Sequence, residues 1–112
     1  MKPSTIFQIL FFVILVSKPK ACLCQTSNSL SEQATNAFNN KEYTKATILF
    51  NKLIISEPKN VIYYQRRAFC YFQNEKWEKA IADCDKGILL DNSINNRNYL
   101  YNLKGNCYYY LR

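Results

Sequence analysis

At 112 residues the chain has room for one small domain. It carries 15 Lys and Arg against 8 Asp and Glu, five Cys, two Gly and no His, so acid–base or metal chemistry would have to work without imidazole. The basic excess is interspersed with acids in KEYTK, NEKWEK and DCDK, which reads as solvated helix surface with i,i+4 pairs such as Glu75 and Lys79. Only Arg66-Arg67 approaches a cluster, so a nucleic-acid footprint is excluded.

Residues 1–24 open with one Lys, continue as an apolar run from Ile6 to Val16 broken by Gln8, and end in small residues. Eleven residues fall short of the roughly twenty that span a bilayer. The pattern predicts a secretory signal peptide cleaved near Cys24-Gln25, with a signal anchor as the alternative because Lys18 and Lys20 follow the apolar run. The expected location is the secretory pathway (endoplasmic reticulum lumen or secreted), with a membrane tether if the signal stays on. Lys2, Lys18 and Lys20 leave with a cleaved signal, so 12 basic residues then face 8 acids, a net of +4.

After a short linker at 25–28, five helical segments are predicted. The first covers about Ser29 to Asn39, with Leu30, Ala34, Ala37 and Phe38 at helical spacing. The second runs from about Thr44 to Ser56, where Ala46, Leu49, Phe50, Leu53 and Ile54 form one stripe, and Pro58 stops it. The third, about Val61 to Gln73, presents Tyr64, Ala68, Tyr71 and Phe72; the fourth, about Glu78 to Leu90, presents Ala80, Ile81, Cys84 and Ile88. The Asn-rich DNSINNRN reads as a loop, and the fifth helix, about Tyr99 to Leu111, is expected to present Tyr101, Leu103, Gly105 and Tyr108. No segment sustains period-two alternation, so the fold class is all-α.

The same residues argue against catalysis. Asp83 and Asp85 are two apart on a helix and diverge. The only glycines are Gly87 and Gly105, so there is no phosphate loop, and Cys84 lies on an apolar stripe without a base. Cys70, Cys84 and Cys107 are odd in number and lack the close pair that zinc motifs use. No cofactor or metal is expected.

Two windows thirty-four residues apart carry the organisation. QATNAFNNKEYTKATILF (33–50) and RAFCYFQNEKWEKAIADC (67–84) share Ala34/Ala68, Phe38/Phe72, Asn40/Asn74, Lys45/Lys79 and Ala46/Ala80, with Tyr43/Trp77 matched as aromatics and Phe50/Cys84 as apolar residues. Two helices per thirty-four residues, with a small residue in the first, an aromatic opening the second, an Ala one turn later and a closing Pro58, resemble the tetratricopeptide (TPR) repeat. The resemblance implies a right-handed helical-hairpin solenoid of about two and a half repeats: 28–60, 61–94, and at 98–112 the first helix of an incomplete third. Asn92 replaces the second repeat's proline, and Gly87 stands where Ala is usual.

What the resemblance implies about function is recognition: a concave face lined by first helices receives a peptide or a partner's helix. Projected onto this chain, that face comprises Ser31, Thr35 and Phe38, then Arg66, Phe69, Phe72 and Gln73, then Leu103, Asn106, Tyr109 and Tyr110. TPR co-chaperones that clamp acidic chaperone tails use Lys, Asn and Arg at positions that here are Ser31, Thr35, Arg66, Tyr99 and Leu103; none matches, so no such clamp is expected. A signal peptide followed by TPRs, with YYQRRA in the second repeat, resembles the layout of endoplasmic-reticulum-lumenal J-domain co-chaperones and implies client holding as an alternative role. A fragment of a longer TPR scaffold is the other alternative. The terminal CYYYLR reads as an uncapped aromatic face, available for self-association.

Overall fold

The computed structural model describes residues 29–112; the predicted signal peptide at 1–24, the linker at 25–28, Cys22 and Cys24 lie outside the described residues. Five helices follow in order: α1 (29–39), α2 (Tyr43–Ser56), α3 (Val61–Gln73), α4 (Trp77–Leu90) and α5 (Ile94–Tyr110), with no strand among the described residues. Residues Ser31–Arg112 form one compact unit.

The internal repeat is visible in the backbone itself. After α1, Lys41 takes a left-handed φ of 62°; after α3, Glu75 takes one of 61°. The Glu42 amide donates to the Ala37 carbonyl at 2.9 Å, and thirty-four residues on the Lys76 amide donates to the Tyr71 carbonyl at 2.8 Å. Lys41 and Glu75 likewise donate to Phe38 and Phe72, both at 3.1 Å. Each turn is therefore a Schellman closure, which satisfies the last helical carbonyls and reverses the chain. Both positions carry a Cβ in a conformation that favours glycine.

The return from α2 to α3 is built differently. Asn60 caps α3 by accepting the Ile62 amide at 3.1 Å. The Tyr64 hydroxyl donates to the Pro58 carbonyl at 2.8 Å and ties the proline turn to the next helix.

Packing follows the small residues. Ala34, Ala46, Ala68 and Ala80 are all fully buried, so helix backbones approach closely where the sequence placed them. α3 packs between α2 and α4, and α4 packs on α5. Aromatic wedges recur as well. Phe38 meets Tyr43 at 6.4 Å between ring centroids and Phe69 of α3 at 5.5 Å, while Phe72 meets Trp77 at 5.1 Å and Tyr110 of α5 at 5.9 Å.

α5 departs from expectation in three ways. It begins at Ile94, inside the segment read as a loop. The Asp91 carboxylate accepts the Ser93 amide at 2.8 Å and the Asn96 side-chain amide at 2.6 Å, and this local bracket starts the helix early. Its buried residues are Leu100, Leu103 and Cys107, whereas Tyr101, Gly105 and Tyr108 are exposed; of the expected face, Leu103 alone is inside. Gly87 supplies the close contact instead, because a Cβ there would lie 2.8 Å from Cδ1 of Leu100. That contact accounts for glycine where the repeat pattern has Ala. Finally, the terminal aromatic run is partly engaged: Tyr110 stacks on Trp77 with centroids 4.8 Å apart and planes 13° from parallel.

Candidate functional site

α3 carries two adjacent arginines, and helical geometry sends them about 100° apart. They do different work. Arg66 turns toward α1, where its Nη1 donates to Thr35 Oγ1 at 3.1 Å and its guanidinium lies 5.5 Å from the centre of the Phe38 ring. Phe69 tilts against the same ring. Phe38, Arg66 and Phe69 are thus brought together, half-buried, at the meeting of α1 and α3.

The other predicted residues are spread along the same series of first helices. Phe72 is half-buried in the Trp77–Tyr110 cluster. Gln73 at the end of α3 and Asn106 and Tyr109 on α5 are exposed. Tyr109 is 65% exposed and meets only neighbouring groups at the helix end, the Tyr110 ring and the Arg112 guanidinium. Leu103, projected onto the binding face, is instead 5% exposed and packs with Ala68, Cys84 and Leu100 in the core. Tyr99 is 40% exposed, and the burial of the rest of its ring pushes its phenol above the ordinary value. Beside α1, a shallow cleft of about 280 Å³ is lined by Ser31, Glu32, Thr35 and Asn36. Across Ser31, Thr35, Arg66, Tyr99 and Leu103 there is a single cation, Arg66.

Arg67 points the other way and forms a network that the sequence reading missed. Its Nε donates to Asp83 Oδ2 at 2.7 Å, its Nη2 to Asp83 Oδ1 at 2.6 Å, and its Nη1 to Asn51 Oδ1 at 2.7 Å. The guanidinium also lies between the Tyr64 and Tyr71 rings, at 5.8 and 5.7 Å. Asp83 is 5% exposed, not part of a solvated surface. Burial raises its carboxyl above the ordinary value and the Arg67 hydrogen bonds oppose this, while those same bonds raise the Arg67 guanidinium. With both oxygens bound by a guanidinium, the pair stays ionised at neutral pH. The signal was available, since Ala80, Asp83, Cys84 and Gly87 follow the i, i+3, i+4, i+7 spacing of a buried stripe.

The remaining charges are surface features. Lys104 pairs with Asp85 at 2.5 Å and Lys45 with Glu42 at 4.0 Å. Glu75 and Lys79 do not pair, because Glu75 occupies the left-handed turn before α4 and Lys79 lies over the Tyr71 ring. Cys84 is fully buried and its thiol is pushed up to about 12 by burial, so it is no nucleophile at neutral pH.

Arrayed helix pairs with small residues at their crossings and aromatic wedges between repeats make an all-α helical-repeat fold, and the solved structures that share it are TPR domains. The Arabidopsis OM64 TPR domain superposes with a TM-score of 0.68 at 24% identity, over 78% of this chain and 69% of that one. The first TPR of Spaghetti (RPAP3), bound to the HSP90 peptide SRMEEVD, gives 0.67 at 25% identity, over 79% and 68%. In sequence, the heat shock protein STI1 of Saccharomyces cerevisiae is 33% identical over 69 residues, 61% of this chain and 12% of that protein. The human serine/threonine-protein phosphatase 5 is 32% identical over 65 residues, 58% and 13%. The stress-induced-phosphoprotein 1 of Caenorhabditis elegans is 29% identical over 52 residues, 46% and 16%. The chain therefore spans only 12 to 16% of the length of these relatives. No family model matches it.

Proposed function

We propose that the chain is a non-catalytic protein-interaction module whose first helices receive a peptide or a partner's helix. The observation that carries this reading is the shared fold with a TPR domain solved with a peptide bound, together with the half-buried Phe38–Arg66–Phe69 cluster and the exposed Gln73, Asn106 and Tyr109 farther along the first helices. Exposed amides and one anchored guanidinium suit an extended backbone or a lone carboxylate, and the aromatic cluster suits an apolar side chain. Several donors must converge to hold a tail with two or more carboxylates. One cation among the five clamp positions does not supply them, so the preferred ligand is not an acidic chaperone tail.

Two measurements test this. Calorimetric titration with the peptide SRMEEVD should give no binding tighter than about 100 µM, about 5.5 kcal/mol; micromolar binding refutes the missing clamp. Peptides selected from a random library should lose most of their affinity with Arg66→Ala or Asn106→Ala. Selected peptides indifferent to both variants would place recognition elsewhere. For the compartment, we propose the secretory route on the strength of residues 1–24 alone, and a reporter fused after residue 112 that stays in the cytosol would reject it.

A further inference from the structure

We infer that the cleft between α2 and α4, on the Arg67 side of α3, is a second binding site and that its ligand is a phosphate monoester. The cleft holds about 380 Å³, and Thr44 and Asn51 of α2, Tyr71 and Asn74 of the α3 end, and Lys76 and Lys79 of the α4 start are among the residues that line it. No lining residue is a carboxylate. Two of the neutral groups already have an acceptor oxygen engaged. Asn51 Oδ1 accepts Arg67 Nη1 at 2.7 Å, so the oxygen is held by a buried cation and the amide N–H groups are left to donate into the cleft. Thr44 Oγ1 accepts the Asn74 side-chain amide at 3.3 Å and keeps its own proton to donate. The Thr47 proton is spent on the Tyr43 carbonyl at 2.8 Å.

Charge gives the same sign. Among the described residues the ion pairs join Lys45 to Glu42, Arg67 to Asp83 and Lys104 to Asp85, so neither Lys76 nor Lys79 is paired. The acids nearest in sequence, Glu75 and Glu78, line the adjoining cleft by Trp77 and Leu111 and belong to no ion pair either. The Lys79 ammonium instead lies 5.8 Å from the centre of the Tyr71 ring, on the lining of this cleft. Asp83 offsets nothing there, because both of its oxygens are bound by Arg67. Two unpaired ammoniums three residues apart on one helix, about 4.5 Å of rise, suit a single doubly charged anion. A carboxylate brings one charge on two oxygens. A phosphate monoester brings about −1.5 to −2 on three, which suits two lysines together with the Asn51, Thr44 and Asn74 donors.

The test titrates the full chain calorimetrically with glycerol 3-phosphate and with a blocked Gly-phosphoserine-Gly peptide, against sulfate and the Gly-Glu-Gly peptide. At least one phosphate ester should bind with Kd of about 1 mM or tighter, and about tenfold or more tighter than sulfate or the glutamate peptide. Whichever ester binds tighter tells a free metabolite from a phosphorylated protein, and either supports the site. Lys76→Gln with Lys79→Gln, both on exposed side chains, should weaken binding about tenfold or more, whereas Lys59→Gln, an exposed lysine outside the cleft, should not. Asn51→Asp keeps an oxygen for Arg67 and replaces the donors by a negative charge. It should abolish binding without lowering Tm, a combination that a purely structural role does not produce. Arg66→Ala should leave this binding unchanged, which separates the outcome from that of the first-helix face. No binding of either ester at 5 mM, equal binding of sulfate or the glutamate peptide, or indifference to the double lysine variant or to Asn51→Asp overturns the inference. So does an equal loss with Lys59→Gln, because the attraction is then that of the net positive charge alone.

Discussion

Replacing Asp83 by alanine would leave the Arg67 guanidinium inside the helix stack with two of its three side-chain hydrogen bonds gone. The Arg67 and Asp83 side chains are 19% and 7% exposed, so water does not replace what is lost. Removing one partner of a buried ion pair costs about 3–5 kcal/mol. The 84 described residues, at about 0.05–0.15 kcal/mol each, have a total stability of about 4–13 kcal/mol. The substitution therefore removes a large share of it, and Tm should fall by about 12–40 °C at about 4–8 °C per kcal/mol. Urea unfolding followed by far-ultraviolet circular dichroism measures the loss directly. The double variant Arg67→Leu with Asp83→Leu removes both charges and should be markedly less damaged than the sum of its single changes. A loss below about 1 kcal/mol for Asp83→Ala, or strict additivity in the double variant, refutes the view that this pair holds α2, α3 and α4 together.

Three further outcomes follow from local geometry. Glu75→Gly relieves a left-handed Cβ at a Schellman turn and should stabilise the fold by about 0.5–1 kcal/mol after the extra entropy of glycine is charged against it, read as a rise in the urea midpoint. The Asp91 carboxyl is held below its ordinary value of 3.8 first by the Ser93 amide and then by Asn96. Its share of stability is therefore present above pH 3.8 and lost as pH falls through the lower folded value, so Asp91→Ala should weaken the fold at pH 7 and flatten its acid dependence below pH 3.8. Burial pushes the thiols of Cys70 and Cys84 up to about 11 and about 12 and raises that of Cys107. Iodoacetamide at pH 8, mapped by mass spectrometry, should spare all three in the native protein and label all three in urea; rapid native labelling of Cys84 would contradict its burial.

Helix pairing, the thirty-four-residue repeat and the alanine crossings are determined by the sequence, because each rests on local spacing that survives in a linear reading: Ala34, Ala46, Ala68 and Ala80 are small wherever they stand, and Pro58 stops a helix without help. α5 was misread because its start depends on two side-chain hydrogen bonds from Asp91 and its inner face on Gly87 leaving room for Leu100, neither of which is a property of residues 94–110 themselves. Arg66 and Arg67 look alike in sequence. Only tertiary structure decided that one closes on Thr35 and Phe38 while the other is buried with Asp83 and Asn51, because a charge is tolerated inside only where other helices deliver its partners.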